Sequence, residues 1–308
     1  MKKTVVGIGE ILWDCFPEYR RLGGAVTNFA IHSSRFGHDS WIVSALGRDF
    51  NAAFTESALE GLNTDGTLHY MLDRVDCPTG EVLVHAFADG RNEYEIAYPA
   101  AWDRIPVTDG LMSLASRTDV VCFGTLGQRD AVSRAAIMRF LMNVPDCCIK
   151  VFDINLRPPF YTKDVIVDSL GMCDILKIND EEVEVVRPML DLPEGQGEAC
   201  RELMRRFGLG MLILTEGAKG STVYASEGEW FRPSEKVALV DAVGAGDSFT
   251  AAFISTLTGE GGVSKSGGRL CGVDSALIDR AQKVATRVAA FVCTQAGATP
   301  VIPDELKA

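Results

Sequence analysis

Six short apolar runs, TVVGIG, SWIVSAL, DVVCFG, CIKVF, DILKI and MLILT, recur up to Thr215. Each is rich in β-branched and aliphatic residues and shows little alternation. A strand reads that way when both of its faces are buried. Between them lie longer segments of helical character, VTNFAIHSSRFG, FNAAFTESALEGL, DAVSRAAIMRFLMNV and EACRELMRRFG. Parallel strands need long crossovers, whereas antiparallel ones are joined by tight turns. The alternation therefore predicts an α/β chain, a parallel sheet with helices on both faces. Residues 246–257 and 275–293 read as two further helices.

One region breaks this rhythm. From 67 to 102 the chain alternates as antiparallel strands do, with Asp89-Gly90 as a hairpin signal. The segment EILWDCFPEYRRLGG is also short and extended. These stretches, about 11–22 and 67–102, are expected to form a small antiparallel β lid inserted in a single domain over 1–308. The segment GEGGVSKSGGRLCG, 259–272, reads as a surface loop.

Composition narrows the partners. The net charge is −12, and no Lys/Arg run suggests a nucleic-acid surface. Apolar residues make up 47% of the chain, enough for a sizeable core. The nine cysteines form no CxxC pair, which fits thiols in a reducing cytosol. His32, His38, His69 and His85 have no metal spacing. The apolar start of MKKTVVGIGEILWDCF is broken by Glu10 and Asp14, too early for a secretion signal. No run reaches the roughly 18 apolar residues of a membrane span. The expectation is a cytoplasmic protein without nucleic-acid or membrane partners.

The stretch VDAVGAGDSFTAAF, 240–253, carries the chemistry. A glycine-lined turn feeding a helix leaves backbone N–H groups unpaired, and the helix dipole adds positive character there. Such a turn receives anions, phosphate above all. Asp247 at its mouth is either a helix cap or a base for a hydroxyl that attacks the phosphate. Local chemistry leaves both readings open. Two other glycine-rich stretches fail as ligand loops. GIGEIL has Leu12 where a dinucleotide fingerprint needs a small residue. GGVSKSGG has Ser264 where a phosphate loop needs glycine before its lysine.

The stretch DAVGAGDSF resembles the C-terminal signature of the ribokinase-like sugar kinases, the phosphofructokinase B-type family. That resemblance implies a three-layer α/β/α sandwich, Asp247 as catalytic base, and Gly244, Ala245 and Gly246 as the amides around the transferring phosphoryl group. Other motifs follow in family order, from about Gly7 to Pro303. RLGGAVTNFAIHSSRFG looks like the sugar motif, with Gly23, Gly24 and Asn28, and Asp14 in GEILWDCFP matches the family's sugar-binding carboxylate. FDINLRPPFY is similar to the Asp-x-Asn-x-Arg-Pro element and implies a catalytic Arg157. LKINDEEVEVV holds Asn-x-x-Glu, implying Asn179 near the nucleotide and Glu182 near Mg²⁺ through water. Thr215, Gly217 and Gly220 resemble the nucleotide-binding turn, and the loop from Cys293 passes adenine. In cation-activated members a K⁺ site lies close by, implying a role for Asp241. The chain departs from the pattern at Ala242, where the family more often has Thr, and at Val26, where the fructokinase branch has Pro. GRDFNAAF also lacks the second glycine that the family usually carries near Asn51 or Ala52.

The resemblance implies an ATP-dependent sugar kinase, of the fructokinase branch, working with Mg²⁺ and K⁺ as a homodimer joined through the lid. Ribose, a nucleoside and 2-keto-3-deoxygluconate are alternative acceptors. The acidic sugar would call on Arg91 or Arg104 in the lid region. A non-catalytic sugar or nucleotide sensor and a dinucleotide-dependent oxidoreductase are readings from other classes. The intact Asp247 and its turn argue against the sensor.

Overall fold

The computed structural model describes residues 2–63, 65–86, 92–259 and 262–307. All six apolar runs become strands of one sheet: β1 (Thr4–Ile8), β4 (Asp39–Leu46), β8 (Val120–Phe123), β9 (Ile149–Asp153), β10 (Ile175–Asn179) and β11 (Met211–Thr215). β2 (Leu12–Cys15), β3 (Arg20–Gly23), β6 (Gly80–Ala86) and β7 (Asn92–Ile96) form a second, smaller sheet. Three more strands complete the large one, β5 (Leu68–Arg74), β12 (Gly220–Ala225) and β13 (Gly228–Pro233), in the order β13-β12-β11-β10-β9-β8-β1-β4-β5. Pairing is parallel from β11 through β5 and antiparallel at β11–β12 and β12–β13.

Nine helices are described: α1 (Ala25–Arg35), α2 (Phe50–Leu62), α3 (Asp109–Ala115), α4 (Ala131–Asn143), α5 (Lys163–Met172), α6 (Asp180–Met189), α7 (Gln196–Phe207), α8 (Ala245–Leu257) and α9 (Ser275–Cys293). α3 to α7 bury one face of the large sheet, with Phe140, Leu170, Val186 and Leu203 in a core around Phe123 and Phe152. α1, α8 and α9 bury the other, with Phe29, Phe253 and Val284 against Val151 and Ile213. The sheet is thus the middle layer of three, as expected.

Three expectations change. Residues 68–74 were expected in the lid, but β5 pairs parallel with β4 at the edge of the large sheet. Leu68, Tyr70 and Leu72 pack beneath α2, while His69, Met71 and Asp73 point to the other face. An edge strand that is only partly covered alternates, which imitates a lid strand. The small sheet is antiparallel at β2–β3 and β6–β7 but parallel at β2–β6, and its proposed Asp89-Gly90 turn lies outside the described residues. Within 259–272, β14 (Ser264–Ser266) and β15 (Arg269–Cys271) form a hairpin instead of a loop. Lys265 anchors it through Asp174 at 2.9 Å, which gives the phosphate-loop look-alike a structural occupation.

Strand order reverses at β1. From there the chain runs to β4 and β5 on one side and to β8, β9, β10 and β11 on the other. Ligands of open α/β sheets bind at the carboxyl ends of the strands beside such a switch. Glu10, Asp153 and Asn179 stand at or just past those ends, and the small sheet lies above them.

Candidate active site

A cavity of about 390 Å³ opens at this point. Its lining includes Asp14, Gly24, Asn28, Arg157, Asn179, Gly244, Gly246 and Asp247, all singled out from the sequence. The turn before α8 is built on Gly244, which caps the helix with φ 80°. A Cβ there would stand 2.6 Å from the Ala298 backbone, so only glycine fits. Ser248 N is the first amide to bond into the helix, onto Gly244 O at 2.8 Å. The amides of Gly246 and Asp247 are therefore first-turn donors without an intrahelical acceptor.

Asp247 lies one residue inside that turn. Its Oδ2 accepts from Asn28 Nδ2 at 2.8 Å, across the junction of α8 with α1. Burial, with the charge of Asp153, pushes the Asp247 carboxyl up to about 6, against the pull of Asn28, Lys177 and Arg157. Asn28 Oδ1 is buried and has no partner among the described residues, so the amide keeps one acceptor to offer. Asp14 faces the same cavity from β2. Burial raises its carboxyl to about 6, opposed by Arg157 and Arg21.

Two ionisable residues complete the floor without having been singled out for it. Lys177, on β10, is 6% exposed and places its ammonium 3.1 Å from Asp153 Oδ1. Burial opposes its charge, but Asp153, Glu182 and Asp247 outweigh burial and hold it protonated. A Cβ on Gly246 would lie 3.3 Å from this ammonium, so a fixed positive charge stands against the glycine turn. Glu10, just past β1, accepts Ala25 N on Oε1 at 3.0 Å, while its Oε2 is buried and unpartnered among the described residues. Burial lifts the Glu10 carboxyl to about 7, and Asp247 adds to the rise. Both had a signal: an ionisable residue within or just past an apolar strand run.

Other candidates lie around the cavity instead of in its wall. Gly23 had been read as a close approach to sugar, but its missing Cβ makes room for Asp14 Oδ2, which would stand 2.8 Å away. Ala245 turns back onto Ala242 O at 3.3 Å. Glu182 and Asn179 form a reciprocal cap at the start of α6, each side chain accepting the other's backbone N–H at 2.8 Å. Thr215 pairs in register with Asn179 on the next strand, and Gly217 and Gly220 follow it, outside the cavity. Cys293 O accepts Val240 N at 2.8 Å and Asp241 N at 3.2 Å, which anchors the approach to the glycine turn.

The Asp241 carboxylate does not fit an alkali cation. Arg21 Nη1 stands 2.5 Å from its Oδ2, Gly297 N donates to the same oxygen at 3.2 Å, and Val243 N donates to Oδ1 at 3.0 Å. N–H donors, one of them charged, already occupy it.

A switch-point cavity with a glycine turn, a buried carboxylate and a separate small sheet defines a ribokinase-like α/β protein. The chain belongs to the pfkB family carbohydrate kinases, whose profile matches residues 18–305. It is a sugar kinase, as the motifs implied. It is 24% identical to the aminoimidazole riboside kinase of Salmonella typhimurium, over 96% of this chain and 91% of that one. It is 25% identical to fructokinase-1 of Zea mays, over 99% and 96%. A double-mutant fructokinase from Vibrio cholerae, solved with fructose, ADP and potassium, has the same fold, with a TM-score of 0.76 at 20% identity over 98% of this chain and 95% of that one.

Proposed function

We propose that this chain transfers the γ-phosphoryl group of ATP to a hydroxyl of fructose. The observation that carries the reading is Asp247, a carboxylate with a raised proton affinity set at the mouth of the glycine turn and held by Asn28. Near neutral pH it is ionised yet basic enough to take a hydroxyl proton as the phosphoryl group arrives. Phosphoryl transfer needs in-line positioning and charge neutralisation more than covalent chemistry. The amides of Gly244 and Gly246 supply the dipoles, Ala245 shapes the turn through its bond to Ala242 O, and Lys177 and Arg157 supply the positive charge. Asp14, Gly24 and Asn28 hold the sugar, with Gly23 leaving room for the Asp14 carboxylate. Asn179, Thr215, Gly217, Gly220 and the loop after Cys293 follow the nucleotide along the strand ends.

Magnesium suits the charge of this corner, where Asp153, Glu182 and Asp247 set three carboxylates against the Lys177 ammonium. Glu182 keeps spare lone pairs for a water of the ion's shell. The bound ion would neutralise charge on the transferring phosphate. A neutral acceptor matches the cavity's cations, because Arg21 and Arg157 are set against Asp14 and Asp241. Arg104, considered for an acidic sugar, pairs with Asp130 and does not line the cavity, and Arg91 lies outside the described residues.

A homodimer through the lid fits one exposed face. Val82 and Val84, read from sequence as needing a partner, are 4% exposed and already covered within one chain. The outward face carries Leu83, and beside it Phe50 and Phe54 of α2 are exposed around Trp13. Pairing this patch with its copy about a two-fold axis would cover it. All nine cysteines are free, in keeping with a reducing cytoplasm. None of the described helices is long and apolar enough to cross a membrane.

A coupled ADP-release screen over fructose, ribose, aminoimidazole riboside and 2-keto-3-deoxygluconate tests the acceptor. Fructose is expected to have the highest kcat/KM. A tenfold preference for any other acceptor overturns fructose while leaving the kinase assignment intact.

A further inference from the structure

We propose that the Arg21 guanidinium is a tethered counter-ion for Asp241, which makes this kinase independent of alkali cations and ties its lid to the glycine turn. A fructokinase of the same fold was solved with a potassium ion bound. An alkali cation needs oxygen lone pairs converging on one point. Around Asp241 the donors converge instead: Arg21 Nη1, Val243 N and Gly297 N all point at its carboxylate. The neighbouring Cys293 O is spent on two backbone amides. A second cation would meet the guanidinium's charge with no carboxylate oxygen left free of donors.

Arg21 is held for this task. Its guanidinium carbon lies 4.6 Å from the Tyr19 ring centre and 5.7 Å from that of Phe16. Its stem runs beside Gly297, where a Cβ would stand 3.4 Å from Arg21 Cδ, in ordinary contact. The pair is partly shielded, with side-chain exposures of 29% and 18%, so water screens it less than a surface bridge. Its two ends belong to different parts of the fold. Arg21 is on β3, in register opposite Asp14 of the lid sheet. Asp241 begins the short approach to Gly244, where the turn starts. Arg21 therefore acts as a positioning residue: it sets the turn from the lid without touching the phosphoryl group.

This inference rests on the kinase reading, and its test has an arm that needs no acceptor. The melting temperature of the ligand-free protein is compared in potassium chloride and tetramethylammonium chloride at equal ionic strength, for wild type, Arg21→Lys and Arg21→Ala. Wild type and Arg21→Lys are expected to melt alike in both salts, and Arg21→Ala to gain stability from potassium. In turnover assays the wild-type rate is expected to change less than twofold between the salts. Arg21→Ala is expected to lose at least tenfold in kcat without potassium, and to recover most of it with millimolar guanidinium or potassium. Tenfold or greater potassium activation of wild type overturns the proposal. So does an Arg21→Ala protein that works at the wild-type rate without potassium, or whose loss neither guanidinium nor potassium restores. A failure of the acceptor assignment changes the turnover arm for every variant but leaves the melting arm standing.

Discussion

Asp247 is paid for in stability. Its carboxyl titrates at 3.8 when unperturbed and at about 6 in the folded chain. Between those values the folded protein binds a proton that the unfolded chain has released, so stability falls as pH rises through the window. Above about pH 6 the loss is complete, at most ~3 kcal/mol and less for the water the cavity admits. Asp247→Asn removes both the proposed base and the cost. Its kcat is expected to fall roughly 10²- to 10⁴-fold, while it melts higher than wild type at pH 7.5 and unchanged at pH 3.5. Equal melting at both pH values, or turnover above a tenth of wild type with chemistry rate-limiting, contradicts the role. Glu10 titrates beside it, and the two belong to one coupled system. Glu10, lifted to about 7 in part by the Asp247 charge, is still mostly protonated where Asp247 titrates, so Glu10→Gln is expected to leave the acid limb of the kcat/KM profile in place. A limb that moves by a pH unit would mean that Glu10 carries charge while Asp247 titrates. Asp247 was legible because glycines flank it and its chemistry is local. Lys177 and Glu10 were not, because a charge in a strand looks like a pattern error until the neighbouring strands bring its partners.

At the scale of elements, two helix starts meet the cavity edge and are built differently. α6 begins with the side-chain cap of Asn179 and Glu182, whereas α8 begins with Gly244 in the left-handed region and leaves its first amides free. A capped start is satisfied from within, and an open one awaits an anion. Gly244→Ala is expected to cost about 1–3 kcal/mol, from backbone strain and the contact with Ala298, and to lower kcat more than it raises the sugar KM. Urea denaturation combined with steady-state kinetics reads both effects, and unchanged kcat in a folded variant would leave the turn a purely structural device. The parallel strands, α8 and α9 could be read from sequence because burial on both faces and helical periodicity leave strong local patterns. β5 could not, because its alternation matched a lid strand and only the β4 pairing tells the two apart. β14 and β15 are three residues each, too short for any period to show.

At the scale of the molecule, the open question is what covers the outer face of the lid. Leu83, Phe50 and Phe54 are exposed apolar side chains, with Arg20 and Glu81 bonded to Asn51 close by. Sedimentation at micromolar concentration is expected to show a dimer, and Leu83→Glu to shift it towards monomer without lowering its melting temperature by more than a few degrees. A wild-type monomer with full activity removes the dimer. The site itself draws on both ends of the chain: the Asn28–Asp247 hydrogen bond joins residues 219 apart. During synthesis at roughly 5–20 residues per second, Asn28 leaves the ribosome on the order of 10–40 s before its partner. For that interval the nascent chain carries Asn28 without Asp247, so a chain that stops before α8 never brings the two sides of the pocket together.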